Sequence, residues 1–457
     1  MKSVNAPAIV SVVLCYALIA TALCLWPGAH VATVLLGFTL TGAGAWCLLR
    51  TCSFDSRMIR GVILLLLTVL TIGVVINTWY FTTASGGTLA DPFLQNYDAR
   101  RSWERAAFIV SGRPIQFSPA LHDYCAVFWA AFMWLFGCNI TVPLLTSTFC
   151  AVMAVIVAGK VAFLASDDAR VARLTMIFMS LTGYFLSQGT VLIKDCPLTL
   201  AMALMAFGLL GMVRDRRPVE IYLPIVLACA ITVVLRPHML IMYAVGALFF
   251  IRPRRIGVIA PLAVSAACLA VMWLGSLVGA AVTSPDIVVN SSEDIILSEP
   301  STAAYDGIIG DYMAMPLWHK LLLLPVSVIV QFLVPFPWNF TRDIIFGPVM
   351  VLAHCDYVWY LAGALIVYWL AVMSRRAPAA MLRIVLWGVA LTLGTALMTS
   401  GRVSRYCLPY LPLLLPAAAS AAVYDLKQRS LRIWLGIFAV MLVAVLVVCH
   451  HLQMSAL

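Results

Sequence analysis

Long apolar runs separated by short basic clusters repeat along almost the whole chain. The first three are Ala8–Trp26, Val31–Leu49 and Gly61–Tyr80. Each is close to the roughly 20 residues a helix needs to cross a bilayer's hydrocarbon core. About a dozen such segments occur, which predicts an all-α polytopic membrane protein with about 11–14 transmembrane helices. Residues 1–457 read as a single membrane domain. The longest non-apolar stretches, 81–118 and 283–318, are too short for an independent soluble core. Ala8–Trp26 has no A-x-A cleavage site and reads as a retained helix, not a signal peptide. There is no fixed-period repeat, low-complexity tract, Gly-rich phosphate loop, H-E-x-x-H or G-x-S-x-G.

Lys and Arg between apolar segments mark the cytoplasmic side. Arg50/Arg57/Arg60, Arg170/Arg173, Arg214/Arg216/Arg217, Arg252/Arg254/Arg255, Arg375/Arg376/Arg383 and Lys427/Arg429/Arg432 form that set. It leaves five segments on the outer face: a first large loop 81–118, the Lys194-Asp195 turn, the Arg236-Pro237-His238 turn, a second large loop 283–318, and Gly401–Arg405. Parity then requires that one of the runs 121–137 and 141–164 does not cross. Residues 121–137 carry His122, Asp123, Trp129 and Trp134, which suits an interfacial or tilted helix. The same ambiguity touches 321–334 and 344–354.

Composition agrees. The chain is 63% hydrophobic and 11% charged, with mean hydropathy +1.02, against about 25% charged in soluble domains. That excludes an ordinary cytosolic enzyme, a disordered chain and a nucleic-acid partner. The net charge of +10 is a topology signal. The 13 Cys lie mostly in apolar segments without a C-x-x-C pair and read as small buried hydrophobes.

Candidate chemistry lies in the outer segments. From Asp98 onward, Asp98-Ala-Arg100-Arg101-Ser-Trp103-Glu104-Arg105 has helical spacing. Asp98, Arg101 and Arg105 share a face, and Ala106–Val110 supply apolar cover. A carboxylate beside guanidiniums suits a general base next to a phosphate leaving group; a solvated, ion-paired amphipathic helix is the other reading. Lys194-Asp195-Cys-Pro197, between two apolar runs, suits phosphate binding or a helix start. Arg236 is a phosphate contact or an interfacial anchor. Loop 283–318 carries six Asp/Glu and no Lys or Arg before His319. Trp338, in Pro335-Phe-Pro-Trp338, can stack on a sugar ring or anchor at headgroups. Arg402 and Arg405, with Tyr406 beside them, oppose the positive-inside trend and so need an anionic partner, a phosphate or an outer-loop acid. No metal-ligand spacing stands out, and no cofactor is readable. Asn139-Ile-Thr141, Asn290-Ser-Ser292 and Asn339-Phe-Thr341 are sequons, inert outside a glycosylating compartment.

Taken in order, Asp98 after an early span, Leu135-Phe-Gly-Cys-Asn139, the Lys194-Asp195 turn, Pro335-Phe-Pro-Trp338 and Arg405-Tyr406-x-x-Pro409-x-x-Pro412 resemble bacterial GT-C-type integral-membrane glycosyltransferases and the related polysaccharide repeat-unit polymerases. The resemblance covers about 60–420 through short motifs. It implies residence in the bacterial inner membrane and a polyprenyl-phosphate- or polyprenyl-diphosphate-linked sugar donor. It also implies a glycan or lipid-linked acceptor, and inverting transfer on the outer face. By the resemblance, Asp98 is the base and Asp91 its alternate. Lys194, Asp195, Arg101, Arg236, Arg402 and Arg405 would contact the lipid phosphate, and Trp103, Trp338 and Tyr406 the sugar or acceptor. Two departures stand: Trp103 occupies a position where Tyr is common, and the hairpin 8–49 precedes the usual first span. Outer Arg residues suit a polymerase. A flippase would instead show internal pseudo-symmetry and ionisable groups at the midplane.

Overall fold

The computed structural model describes residues 16–17, 21, 30–84, 86–87, 92–93, 97–113, 125–250, 315–333, 347–354, 356–399 and 404–455. Ala8–Trp26, apart from Tyr16, Ala17 and Thr21, and nearly all of loop 283–318 lie outside these residues. The described part is helical, with no strand. In chain order come α1 (Val31–Arg50), α2 (Arg57–Trp79, continued by a π turn Tyr80–Ala84), α3 (Tyr97–Val110), α4 (Cys125–Phe136), α5 (Thr141–Ser166) and α6 (Ala169–Leu181). There follow α7 (Gly183–Gln188), α8 (Asp195–Val213), α9 (Pro218–Leu235), α10 (Leu240–Phe250) and α11 (Leu317–Leu333). The last five are α12 (Val351–His354), α13 (Tyr357–Tyr368), α14 (Ala379–Thr399), α15 (Leu411–Asp425) and α16 (Arg429–Ser455).

Nine helices among the described residues are long and apolar enough to cross a membrane, so the chain is an all-α polytopic membrane protein. Nine is fewer than the expected 11–14 partly because the first run and 251–282 are outside the described residues. It is also fewer because some apolar runs form short helices. α4 has 12 residues, about 18 Å at 1.5 Å each, against about 30 Å of hydrocarbon. α5, with 26 residues, is long enough to cross. The parity problem is thereby met at 121–137.

Among the described residues, the clusters around Arg50/Arg60, Arg173 and Arg214 meet at one end. Arg50 and Arg60 sit over the Trp46 ring at 5.4 and 4.6 Å. Arg173 donates to the Phe54 carbonyl at 3.0 Å, tying α6 to the α1–α2 loop. Arg214 donates to the Leu164 carbonyl at 2.9 Å and to Asp167 at 2.6 Å, tying the end of α8 to the end of α5. Tyr424, at the end of α15, donates to Asp168 at 2.8 Å. Helix polarity follows: α2 and α9 run away from this end, and α5, α8 and α15 run toward it.

The centre is made of small residues. α5, α8 and α15 are buried along almost their whole length. Runs such as Ala417-Ala418-Ala419 let backbones approach, which is how helices gain contact where apolar solvent gives no drive to pair. A Cβ on Gly208 would meet the Ile221 carbonyl at 2.8 Å, so only glycine permits this α8–α9 crossing. α16 is peripheral, with Val440 71% and Val447 62% exposed; hydrocarbon is the solvent such a surface requires.

Candidate functional site at the end opposite the basic clusters

The far end is organised by a break in the chain. α6 stops at Leu181, and Thr182 turns out of helix (φ −66°, ψ 107°). α7 adds six residues, a turn spans 189–194, and α8 begins at Asp195. Non-helical backbone within a membrane bundle is tolerated when enclosed by protein, and Thr182–Asp195 is buried except for Leu186 and Lys194. Asp356 fixes the break. Its carboxylate accepts the Tyr184 N–H and the Trp359 N–H, both at 2.9 Å, so one side chain caps α7 and α13 together. The crossing is tight enough that a Cβ on Gly183 would lie 1.9 Å from the Leu352 carbonyl oxygen.

Around the 189–194 turn, polar side chains replace the apolar core. Asn77, in the last turn of α2, donates through Nδ2 to the Thr190 carbonyl at 2.9 Å and to Thr190 Oγ1 at 3.0 Å. Ser147 and Thr148 of α5 donate to the carbonyls of Gln188 (3.3 Å) and Gly189 (3.0 Å). Gln188 donates through Nε2 to Met350 Sδ at 3.6 Å. Cys196 donates to the Phe185 carbonyl at 3.8 Å, joining α7 to the first turn of α8. The acceptor side is different. Asn77 Oδ1, Gln188 Oε1 and both oxygens of Asp195 are buried with no hydrogen-bond partner among the described residues. Asp195 is 1% exposed.

The predicted site residues fall as follows. Lys194 is half-buried and immediately precedes α8. Arg236 ends α9, and its guanidinium lies 4.7 Å from the Tyr406 ring, so these two are brought together. Arg405 is in the 3₁₀ stretch Ser404–Tyr410, which packs on α8. Asp98 is in α3, the helix expected from that position, with its side chain outside the described residues, as is that of Arg405. Asp91, Trp338 and Arg402 lie wholly outside them. Arg101 is half-buried on α3, and Arg100 pairs with Glu104 at 2.9 Å.

The buried stripe of α3 is Ala99 (0% exposed), Trp103 (5%) and Ala106 (0%), with Ala107, Ile109 and Val110 half-buried against the core and Phe108 40% exposed. The reason is a partner distant in register: Trp103 meets Phe93, which meets Phe81 at the end of α2, with ring centroids 6.3 and 4.8 Å apart. Trp103 thus packs within the protein, and Tyr406 is the more accessible of the two aromatics. This stack joins α3 to the polar cluster, because Phe81 and Asn77 both press on Gly347.

Sequence reading missed Asn77, Gln188 and Asp356. Their signal was available: a polar side chain inside an apolar run is expensive and needs a reason. Among the described residues no group of three or more His, Cys, Asp or Glu could hold a metal ion. No family model, curated protein or solved structure matches the chain.

Proposed function

We propose that this protein is an inverting integral-membrane glycosyltransferase of the bacterial inner membrane, acting on the outer face. Its donor would be a sugar linked to polyprenyl phosphate, and its acceptor an envelope glycan or lipid-linked sugar. The observation that carries this reading is the placement of Lys194, Asp195 and the Arg236–Tyr406 pair at the end opposite the basic clusters. Under the positive-inside rule that end faces outward. Cationic groups gathered there suit the anionic head of a lipid phosphate.

In this mechanism Asp98 accepts the proton of the acceptor hydroxyl. The hydroxyl oxygen attacks the anomeric carbon, the carbon–phosphate oxygen bond breaks, and its electron pair leaves with the lipid phosphate. Arg405, Arg402, Lys194 and Arg101 hold that phosphate and take up its developing charge. Arg236, stacked on Tyr406, keeps N–H groups directed along its rim and adds a planar donor. Asp98→Asn should lower transfer from a polyprenyl-phosphate sugar by about 10²-fold or more, as loss of a general base does. Unchanged transfer by the purified variant removes Asp98 from the chemistry.

The gathering of Arg236 with the Arg405–Tyr406 element favours one second reading, a repeat-unit polymerase with polyprenyl-diphosphate substrates. The product distinguishes them: a single added sugar for the transferase, a ladder of repeats for the polymerase.

A further inference from the structure

At the basic end two guanidiniums share one indole. Arg50 is the last residue of α1 and Arg60 lies in the first turn of α2. They stand 5.4 and 4.6 Å from the centre of the Trp46 ring. The two charges are therefore within about 10 Å of each other, no more than one screening length at physiological salt, and they repel. One carboxylate answers them: Arg60 spends Nε on Asp55 Oδ1 at 2.9 Å and Nη2 on Oδ2. Among the described residues Arg50 has neither a hydrogen bond nor an ion pair, so its five N–H donors are left over. Arg170 is the balanced counterpart. It lies 5.6 Å from the Tyr424 ring, and Asp168 accepts its Nη2 at 2.8 Å, one anion for one cation. The Trp46 group is one negative charge short.

Its surroundings are apolar. Leu36, Ala43, Trp46 and Arg50 follow at intervals of seven, three and four residues, which places them on one stripe of α1. All four are exposed, Leu36 to 46% and Trp46 to 45%. Along the span, hydrocarbon side chains thus lead to an indole, and the indole to a guanidinium at the helix end. A lipid has the same order: acyl chain, interface, headgroup.

We propose that Trp46, Arg50 and Arg60 form a binding site for an anionic phospholipid of the cytoplasmic leaflet, with its phosphate between the two guanidiniums and an acyl chain along the Leu36–Trp46 stripe. A phosphodiester brings the missing charge and accepts planar guanidinium N–H groups in pairs. A zwitterionic headgroup brings its own cation and leaves the deficit. Free phosphate would match the charge but leave the indole and Leu36 uncovered. Basic pockets between membrane helices on the cytoplasmic side hold anionic headgroups in this way. The site lies at the end away from Lys194 and Arg236 and rests on no step of the transfer reaction.

The test is native mass spectrometry of the full chain, released from detergent after incubation with dioleoylphosphatidylglycerol or dioleoylphosphatidylcholine. The wild type should retain one phosphatidylglycerol in preference to phosphatidylcholine by about tenfold, and Arg50→Gln should cut that preference about fivefold, the worth of one cation beside an anionic headgroup. Trp46→Leu, at an exposed position, is a second variant and should lower the preference by freeing both guanidiniums. Arg170→Gln removes a cation from the same end and should leave the preference unchanged. Arg50→Gln should keep the wild-type elution volume and unfolding temperature, because Arg50 makes no hydrogen bond among the described residues. Equal retention of both lipids by the wild type overturns the proposal. So does an equal loss in Arg50→Gln and Arg170→Gln, which reduces the patch to general charge. Displacement of the lipid by millimolar inorganic phosphate also overturns it, since the site then reads a free anion.

Discussion

At the basic end Asp168 accepts from Arg170 and from Tyr424, each at 2.8 Å, and Arg214 satisfies both Asp167 and the Leu164 carbonyl. At the opposite end Asp195 holds two carboxylate oxygens without a hydrogen-bond partner among the described residues, buried to 1% exposure. The same residue type is thus treated in two ways. Near the clusters, carboxylates lie at the surface beside guanidiniums, where pairing is easy and worth little. In the α7–α8 break, a carboxylate lies in the protein interior, where leaving it unpaired is costly. The first arrangement fixes topology. The second is the kind of cost that proteins carry at sites of function.

The comparison can be broken most severely at the break itself. Gly183→Ala would force a Cβ to 1.9 Å from the Leu352 carbonyl oxygen, at a cost above about 3 kcal/mol. Gly394→Ala is the control, with no atom within 4 Å of its Cβ. Loss of folded protein in the first and a near wild-type unfolding temperature in the second would locate the fragility. Equal behaviour would show that the crossing relaxes freely.

Next in size is Asp356→Ala, which strips the N–H groups of Tyr184 and Trp359 of their acceptor. The expected loss is about 1–3 kcal/mol, read by denaturant or thermal unfolding in detergent. Asp356→Asn retains acceptor oxygen and should lose less; if Ala and Asn match wild type, the shared cap does not hold the break.

The smallest effect belongs to the basic end. Hydrogen bonds from Arg170, with help from Tyr424, hold the Asp168 carboxyl down to about 2. Its folded value lies below the unfolded one of about 4, so its contribution is complete above pH 4 and is lost as pH falls from about 4 through about 2. At this surface position it is worth under about 1 kcal/mol. Asp168→Asn should therefore lower stability slightly at pH 7 and flatten the acid limb of the stability profile. An unchanged acid limb would show that Asp168 gains nothing from its partners.

Much of the fold was legible because crossing a membrane depends on local composition. Val31–Leu49 became α1, Gly61–Tyr80 falls within α2 and its π turn, and the helix from Asp98 became α3. The gathering of Arg50, Arg60, Arg173 and Arg214 at one end follows from the same charge pattern. What composition does not carry is the break. Met176–Ile193 reads as one continuous apolar run, and its interruption at Thr182 depends on Asp356, 172 residues beyond Tyr184. The buried face of α3 depended likewise on Phe93 and on α4 as well as on its own apolar tail. For the site, the charged residues announced themselves, but Asn77 and Gln188 are uncharged and gained their meaning from contacts across the bundle.

The short lengths of α6 and α7, 13 and 6 residues, bear on how the chain is made. Neither alone offers the insertion machinery a full hydrophobic span. The turn that follows them exposes backbone amides that lipid cannot satisfy. The region is held by Asn77 of α2 and by Ser147 and Thr148 of α5 on one side and by Asp356 on the other. Its assembly would therefore wait for partners translated both before and after it.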